Sequence, residues 1–228
     1  MATQPPAADL VARRVGDLRR LIGEVRGDSR AVRIVAVTKT FDVAAWVSAC
    51  EAGCDAVGEN YAQELLDKVD RAGGAVPLPV HFIGHLQSNK VKALAPHVAV
   101  WHTVDRSSVV AALAKQADRF GVAPRVLLQV NSTGEGQKSG CLPQDVGQVL
   151  AAVRGAGIVV EGLMTMGPSD ADPAATRAAF ALTARIAADN GLNELSMGMT
   201  HDVRIAIEEG STIVRVGTGI FGERPRSD

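Results

Sequence analysis

Eight short runs of β-branched and apolar residues recur along this chain, separated by stretches with apolar residues three and four apart, and this alternation most constrains the fold. The runs cover residues 33–39, 54–59, 79–85, 100–105, 125–131, 158–166, 194–199 and 212–221. Helical periodicity covers 42–52, 61–71, 87–95, 106–120, 142–154, 173–190 and 201–209. A strand that feeds a helix and then another strand joins parallel neighbours, so repeated β/α units imply a parallel sheet covered by helices. Eight such units predict a closed (β/α)8 barrel of the TIM type. The competing architecture, an open doubly wound sheet, usually announces itself with a glycine-rich first turn, whereas this turn reads Thr38-Lys39-Thr40-Phe41. One more helix precedes the first strand, with Leu10, Val11, Val15, Leu18, Leu21, Ile22 and Val25 on one face. No helix is expected after the eighth strand, so the N-terminal one is expected to fill that place in the outer ring.

At 228 residues the chain is slightly shorter than the roughly 250 typical of one such barrel. A single α/β domain over 1–228 is therefore expected, with short flexible ends near 1–6 and 223–228 and no second β-domain. Helix starts support the boundaries, since Asp172 supplies an N-cap before Pro173, and Pro143 follows the same first-turn rule. The 24 basic and 25 acidic residues leave a net charge of −1 with no single-sign field, which argues against nucleic acid and membrane surfaces as partners. The opening Met-Ala-Thr-Gln-Pro-Pro lacks the basic and apolar regions of an export signal, and no apolar run reaches the ~18 residues of a membrane span. A cytoplasmic location is expected. Cys50, Cys54 and Cys141 are an odd count without a Cys-x-x-Cys pair, so neither a disulfide framework nor a metal site is expected.

Working residues in such barrels stand at the C-terminal ends of the strands. Here those ends carry Lys39, Glu59 with Asn60, His85, Asp105, Asn131, Met166, Met199 and the stretch from Gly217 to Gly219. Lys39 delivers an amine, a possible covalent anchor, although a strand-end lysine is more often solvated. Phosphate sites commonly lie after strands seven and eight. In Ser196-Met-Gly-Met-Thr200, Gly198 permits close backbone approach and Thr200 is a plausible N-cap for a helix from His201. In Arg215-Val-Gly-Thr-Gly219, backbone amides, the Thr218 hydroxyl and the Arg215 cation form a second cradle. The Gly217 and Gly219 pair alone also reads as a tight turn; convergence with Lys39 on one mouth favours the ligand reading. Asp202 would repel a phosphate there, so its carboxylate is expected to point aside. His81 and His85 share a strand face about 13 Å apart by strand rise, which suits structural histidines better than metal ligands. Glu59 and Asn60 read equally well as ligand-orienting residues or as a cap for the helix near Tyr61.

Six motifs carry a family resemblance: Val37-Thr-Lys39, Gly58-Glu-Asn-Tyr-Ala-Gln-Glu64, His81-Phe-Ile-Gly-His-Leu-Gln-Ser-Asn-Lys90, Gly162-Leu-Met-Thr-Met166, Ser196-Met-Gly-Met-Thr-His-Asp202 and Arg215-Val-Gly-Thr-Gly-Ile-Phe-Gly222. Together they resemble the pyridoxal phosphate homeostasis proteins, a family related to the barrel domain of alanine racemase. The likeness runs from about the first strand to residue 222. It implies pyridoxal 5′-phosphate as cofactor, held as a Schiff base on Lys39. It also implies phosphate contacts from Ser196, Gly198, Met199, Thr200, Gly217 and Thr218, and Arg215 near the pyridine nitrogen. Thr200 stands where the family has a serine-type hydroxyl. Asn60 is counted with this cofactor-binding set.

Two activities compete. A non-catalytic carrier, which buffers the cofactor and passes it to pyridoxal phosphate-dependent apoenzymes, needs only an amine and a phosphate cradle at an open mouth. An amino acid racemase needs a second base opposite Lys39; the chain's one tyrosine, Tyr61, begins a helix, and the racemase's extra β-domain is missing from this sequence. The carrier is the expected function, as a monomer, with no catalytic residues assigned. A Schiff-base aldolase acting on a sugar phosphate is a third possibility. Lys138, in the glycine-flanked loop 134–140, is expected either to meet ligand during transfer or to be a solvated loop residue.

Overall fold

The computed structural model describes residues 3–121 and 123–223. The tail beyond 223 and the first two residues, part of the expected flexible ends, lie outside the described residues. Thr3 is tied down: its N–H donates to Thr40 O at 2.9 Å and its carbonyl accepts from Asp42 N at 2.7 Å.

The eight strands close in sequence order into a parallel barrel, as the alternation predicts. They are β1 (Arg33–Val37), β2 (Ala56–Glu59), β3 (Val80–Phe82), β4 (Val100–Val104), β5 (Arg125–Gln129), β6 (Val159–Met164), β7 (Glu194–Ser196) and β8 (Ile213–Val216). Closure is made by β1 against β8, with Val35 opposite Arg215 and Ala36 opposite Val216. Around them run α1 (Ala8–Arg26), α2 (Ala44–Glu51), α3 (Ala62–Arg71), α4 (Ser88–Leu94), α5 (Ser107–Phe120), α6 (Val146–Gly155), α7 (Pro173–Asp189), α8 (Val203–Glu208) and α9 (Thr218–Phe221). Asp172 caps α7 as expected, accepting from Ala175 N at 2.7 Å.

The period of two along each strand divides the core. Val35, Ala56, Val100, Leu127, Met164 and Ile213 pack together inside the barrel. Ile34, Ala36, Val57, Phe82, Leu128 and Val214 pack outward under the helices. Following the inward face from Val35 through Val37 brings Lys39 to the mouth, just beyond the end of β1.

One expectation is corrected at the C-terminus. The run at 212–221 is not a single strand; β8 stops at Val216, and Thr218–Phe221 turn into α9. Apolar content alone misled here: Ile220 and Phe221 are buried, but glycines at 217 and 219 punctuate the run and let it bend back onto the barrel. The Phe221 ring meets Phe41 with centroids 5.1 Å apart. α1 still occupies the eighth place in the ring, packed beside α2 and α8, and it also touches α9, where Arg14 Nη1 donates to Ile220 O at 2.9 Å. The helix expected from His201 begins only at Val203.

Candidate functional site

At the C-terminal mouth lies a cavity of about 300 Å³. Lys39, Asn60, Met199, Thr200, Arg215, Gly217 and Thr218 all line it, so seven of the nine residues singled out from sequence converge there. Val37, Phe41, Ile83, Met164 and Met166 supply apolar walls, and His201, not foreseen, stands on the rim.

Ser196 and Gly198, the other two, sit below and beside the cavity. Ser196 is fully buried, its Oγ accepting from Arg215 Nη1 at 2.6 Å, so it supports the floor rather than facing the opening. Gly198 adopts φ +92, and a Cβ there would come within 2.5 Å of Ala206 Cβ; glycine is needed for the fit of α8. Thr200 does not cap α8, since Asp202 holds the N-cap position. The Thr200 hydroxyl instead accepts from Gly219 N at 2.9 Å, stapling the two expected cradles together along one wall. Asp202 is not turned aside as expected: its Oδ1 accepts from Met199 N at 2.6 Å, engaging one amide of that wall. A free amide at a loop is a strong local attractor for a carboxylate three residues on.

Arg215 dominates the floor. Its side chain is 4% exposed and donates to Ser196 O at 2.7 Å and to Thr165 O at 3.0 Å besides the Ser196 hydroxyl. These partners are neutral. Burial pulls its pKa down to about 10, against the charge of Asp202, which raises it. Beneath it a polar chain crosses the barrel: Ser196 Oγ to His102 Nδ1 at 3.0 Å, then His102 Nε2 to His81 Nδ1 at 2.9 Å. Burial holds His81 down at about 4 and His102 well below its usual range. His81 is thus structural, as expected; His85 is exposed and pairs with Arg106 Nη2 at 2.9 Å. His102 was not singled out from sequence, although its place in β4, two residues after inward Val100 and next to outward Trp101, marks it as inward.

Parity also separates Glu59 from Asn60. Asn60 faces inward, lines the cavity, and its buried Oδ1 has no hydrogen-bond partner. Glu59 faces outward and is fully buried between β2 and α3, so it neither caps a helix nor meets the cavity; the α3 N-cap position is Tyr61. Glu59 Oε1 accepts from Thr38 Oγ1 at 2.6 Å, Trp46 Nε1 at 2.9 Å and Lys68 Nζ at 2.7 Å. Desolvation raises its pKa, with Lys68 opposing. Lys138 is not a solvated loop lysine: it is largely buried, pairs with Glu135 at 2.6 Å and donates to Gly167 O. The three cysteines are free, and burial pushes the Cys54 thiol up to about 12. Among the described residues no helix is long and apolar enough to cross a membrane.

The chain is similar to known proteins over most of its length. The family "Alanine racemase, N-terminal domain" matches residues 15–225. A "Pyridoxal phosphate homeostasis protein" of Pseudomonas aeruginosa is 40% identical over 221 residues, covering 95% of each chain. A protein of the same name from Deinococcus radiodurans is 46% identical over 191 residues, covering 83% of this chain and 88% of its own. The structure of PipY from Synechococcus elongatus with PLP bound superposes with a TM-score of 0.80 at 31% identity, covering 93% of this chain and all of the other. The chain belongs to the pyridoxal phosphate homeostasis proteins, built on the barrel of the alanine racemase N-terminal domain.

Proposed function

We propose that this protein binds pyridoxal 5′-phosphate reversibly on Lys39 and buffers or delivers it to apoenzymes in the cytoplasm, acting as a monomer without turnover of its own. The observation that carries this reading is the convergence of Lys39 and Arg215 on one open cavity. The residues fit the cofactor: an amine for its aldehyde, an orphaned Asn60 Oδ1 that needs a donor, and a buried cation whose partners are all neutral. Condensation of the Lys39 amine with the aldehyde forms a C=N bond and releases one water, and hydrolysis reverses it. The wall of Thr200, Gly217 and Thr218 suits the phosphate. Arg215 beside the ring nitrogen would keep it unprotonated, which disfavours carbanion chemistry.

The test compares wild type with Lys39→Ala after mixing with pyridoxal phosphate. Wild type is expected to turn yellow, and borohydride is expected to fix one adduct that maps to Lys39. An adduct of equal yield in Lys39→Ala refutes the assignment.

His201 on the rim favours one second reading, an amino acid racemase in which that imidazole is the base opposite Lys39. Conversion of L-alanine to D-alanine by the loaded protein, lost in His201→Ala with binding retained, would establish it. No conversion above background supports the carrier.

A further inference from the structure

The backbone that carries Lys39 is strained. Thr40 has φ +71, a left-handed conformation that a β-branched residue avoids, and only an over-determined setting keeps it there. The restraints come from behind the strand, on the side facing α3. Lys68 Nζ donates to Thr38 O at 2.7 Å, and the Thr38 hydroxyl donates to Glu59 Oε1 at 2.6 Å. The Thr40 N–H donates to Glu64 Oε1, and that same carboxylate oxygen pairs with Lys68 at 2.9 Å. One ammonium, 3% exposed, therefore grips the residue before Lys39 directly and the residue after it through Glu64. Thr3 closes the other side by donating to Thr40 O. Neither Lys68, Glu59 nor Glu64 lines the cavity.

We propose that the Glu59–Lys68–Glu64 cluster is a positioning device for Lys39: it holds the 38–40 backbone in its left-handed turn so that the Lys39 amine enters the cavity instead of swinging toward the helices. The inference rests on the assignment of Lys39 as the attachment site. Its physical content is that the strained turn relaxes when an anchor is removed, and that relaxation misaims the amine without emptying the cavity.

Glu64 is the anchor to remove, because its side chain is 22% exposed and its loss leaves the buried Glu59–Lys68 pair in place. In Glu64→Ala, adduct formation with pyridoxal phosphate is expected to slow by about tenfold, since small misplacements of a reacting group are amplified in rate. In the ligand-free protein, amide hydrogen exchange over 38–42 is expected to speed up. Glu64→Gln keeps an acceptor for Thr40 N and is expected to stay near the wild-type rate. The distinguishing variant is Glu64→Ala with Thr40→Gly: glycine adopts positive φ freely, so the turn no longer depends on the anchor, and most of the lost rate should return. A general loss of structure would not be repaired by a glycine. Wild-type loading by Glu64→Ala, or a double variant as slow as the single one, overturns the positioning role. Failure of wild type itself to form an adduct at Lys39 would instead sink the attachment site.

Discussion

Lys68→Met isolates the energetics of the buried cluster behind Lys39. Methionine fills nearly the same channel as the lysine stem, so the perturbation is the removal of a charge with little added cavity. Glu59, 0% exposed, then keeps only the Thr38 hydroxyl and the Trp46 indole N–H on Oε1, while Oε2 already has no partner. Removing one member of a buried ion pair costs about 3–5 kcal/mol, because the other charge stays behind unpaired. Set against a typical domain stability of about 5–15 kcal/mol, this is a large fraction. The pH dependence supplies the check. Burial already raises Glu59 above its ordinary value of 4.5, and losing Lys68, which opposes that rise, raises it further. A carboxyl whose folded pKa lies above its unfolded value binds more protons when folded, so its stability contribution is present below the unfolded pKa and is lost as pH rises through the folded one. The variant's deficit should therefore be large near pH ~8 and shrink toward pH ~5 as Glu59 takes up a proton. Urea unfolding of both proteins at the two pH values measures this. A deficit below about 1 kcal/mol near neutrality, or one that does not change with pH, would show that Lys68 does not hold a buried carboxylate ionised.

Wild type should lose stability as pH falls from about 6.5 toward about 4, because burial depresses His81 to about 4 and His102 with it, so the unfolded chain binds protons that the folded one refuses. For His81 alone this amounts to about 3 kcal/mol; a flat urea-unfolding midpoint across that window would mean that the pair is charged inside the barrel. Gly162→Ala should destabilise by at least about 3 kcal/mol, since its Cβ would fall 1.8 Å from Glu194 O in the neighbouring strand. Gly16→Ala, in the exposed middle of α1 with nothing within 4 Å, should instead gain about 0.5–1 kcal/mol, and thermal melts of the two distinguish the cases. Asp202→Asn keeps the acceptor for Met199 N but removes the negative charge from the wall, so pyridoxal phosphate affinity should rise roughly two- to fivefold, read by absorbance titration; unchanged affinity would place the phosphate elsewhere.

What could be read from sequence follows from the two-residue period of the strands. Once β1 is fixed, Val35, Val37 and Lys39 must share a face, and β8 repeats this with Ile213, Arg215 and Gly217; the convergence of Lys39 and Arg215 needs only that these strands be neighbours, which barrel closure guarantees. The same rule, applied to Glu59 and Asn60, would have broken their tie, because Gly58 and Asn60 face in while Val57 and Glu59 face out. Strand ends are hard to place where apolar residues recur past the last ladder bond, as with Ile220 and Phe221 beyond Val216. The Thr200 and Asp202 contacts leave no trace in the sequence, since which loop amide each polar side chain takes, Gly219 N for one and Met199 N for the other, depends on angles that no spacing encodes.

Lys68 does leave a trace in the sequence. On α3 it lies between Leu65 and Val69, both buried, so a lysine stands on the helix face that must turn toward the barrel. A cation there cannot stay unpaired, and the outward-facing acid at the end of the adjacent strand is Glu59, nine residues earlier. Helical period on one element and strand period on its neighbour thus point at each other across the layer. What neither period encodes is the left-handed turn at Thr40, because threonine gives no local reason for it; the contacts that meet it come from Glu64 and Lys68 on α3 and from Thr3. The convergence of Lys39 and Arg215 thus follows from the strands, while the contacts that hold the backbone on either side of Lys39 come from the helix layer behind them.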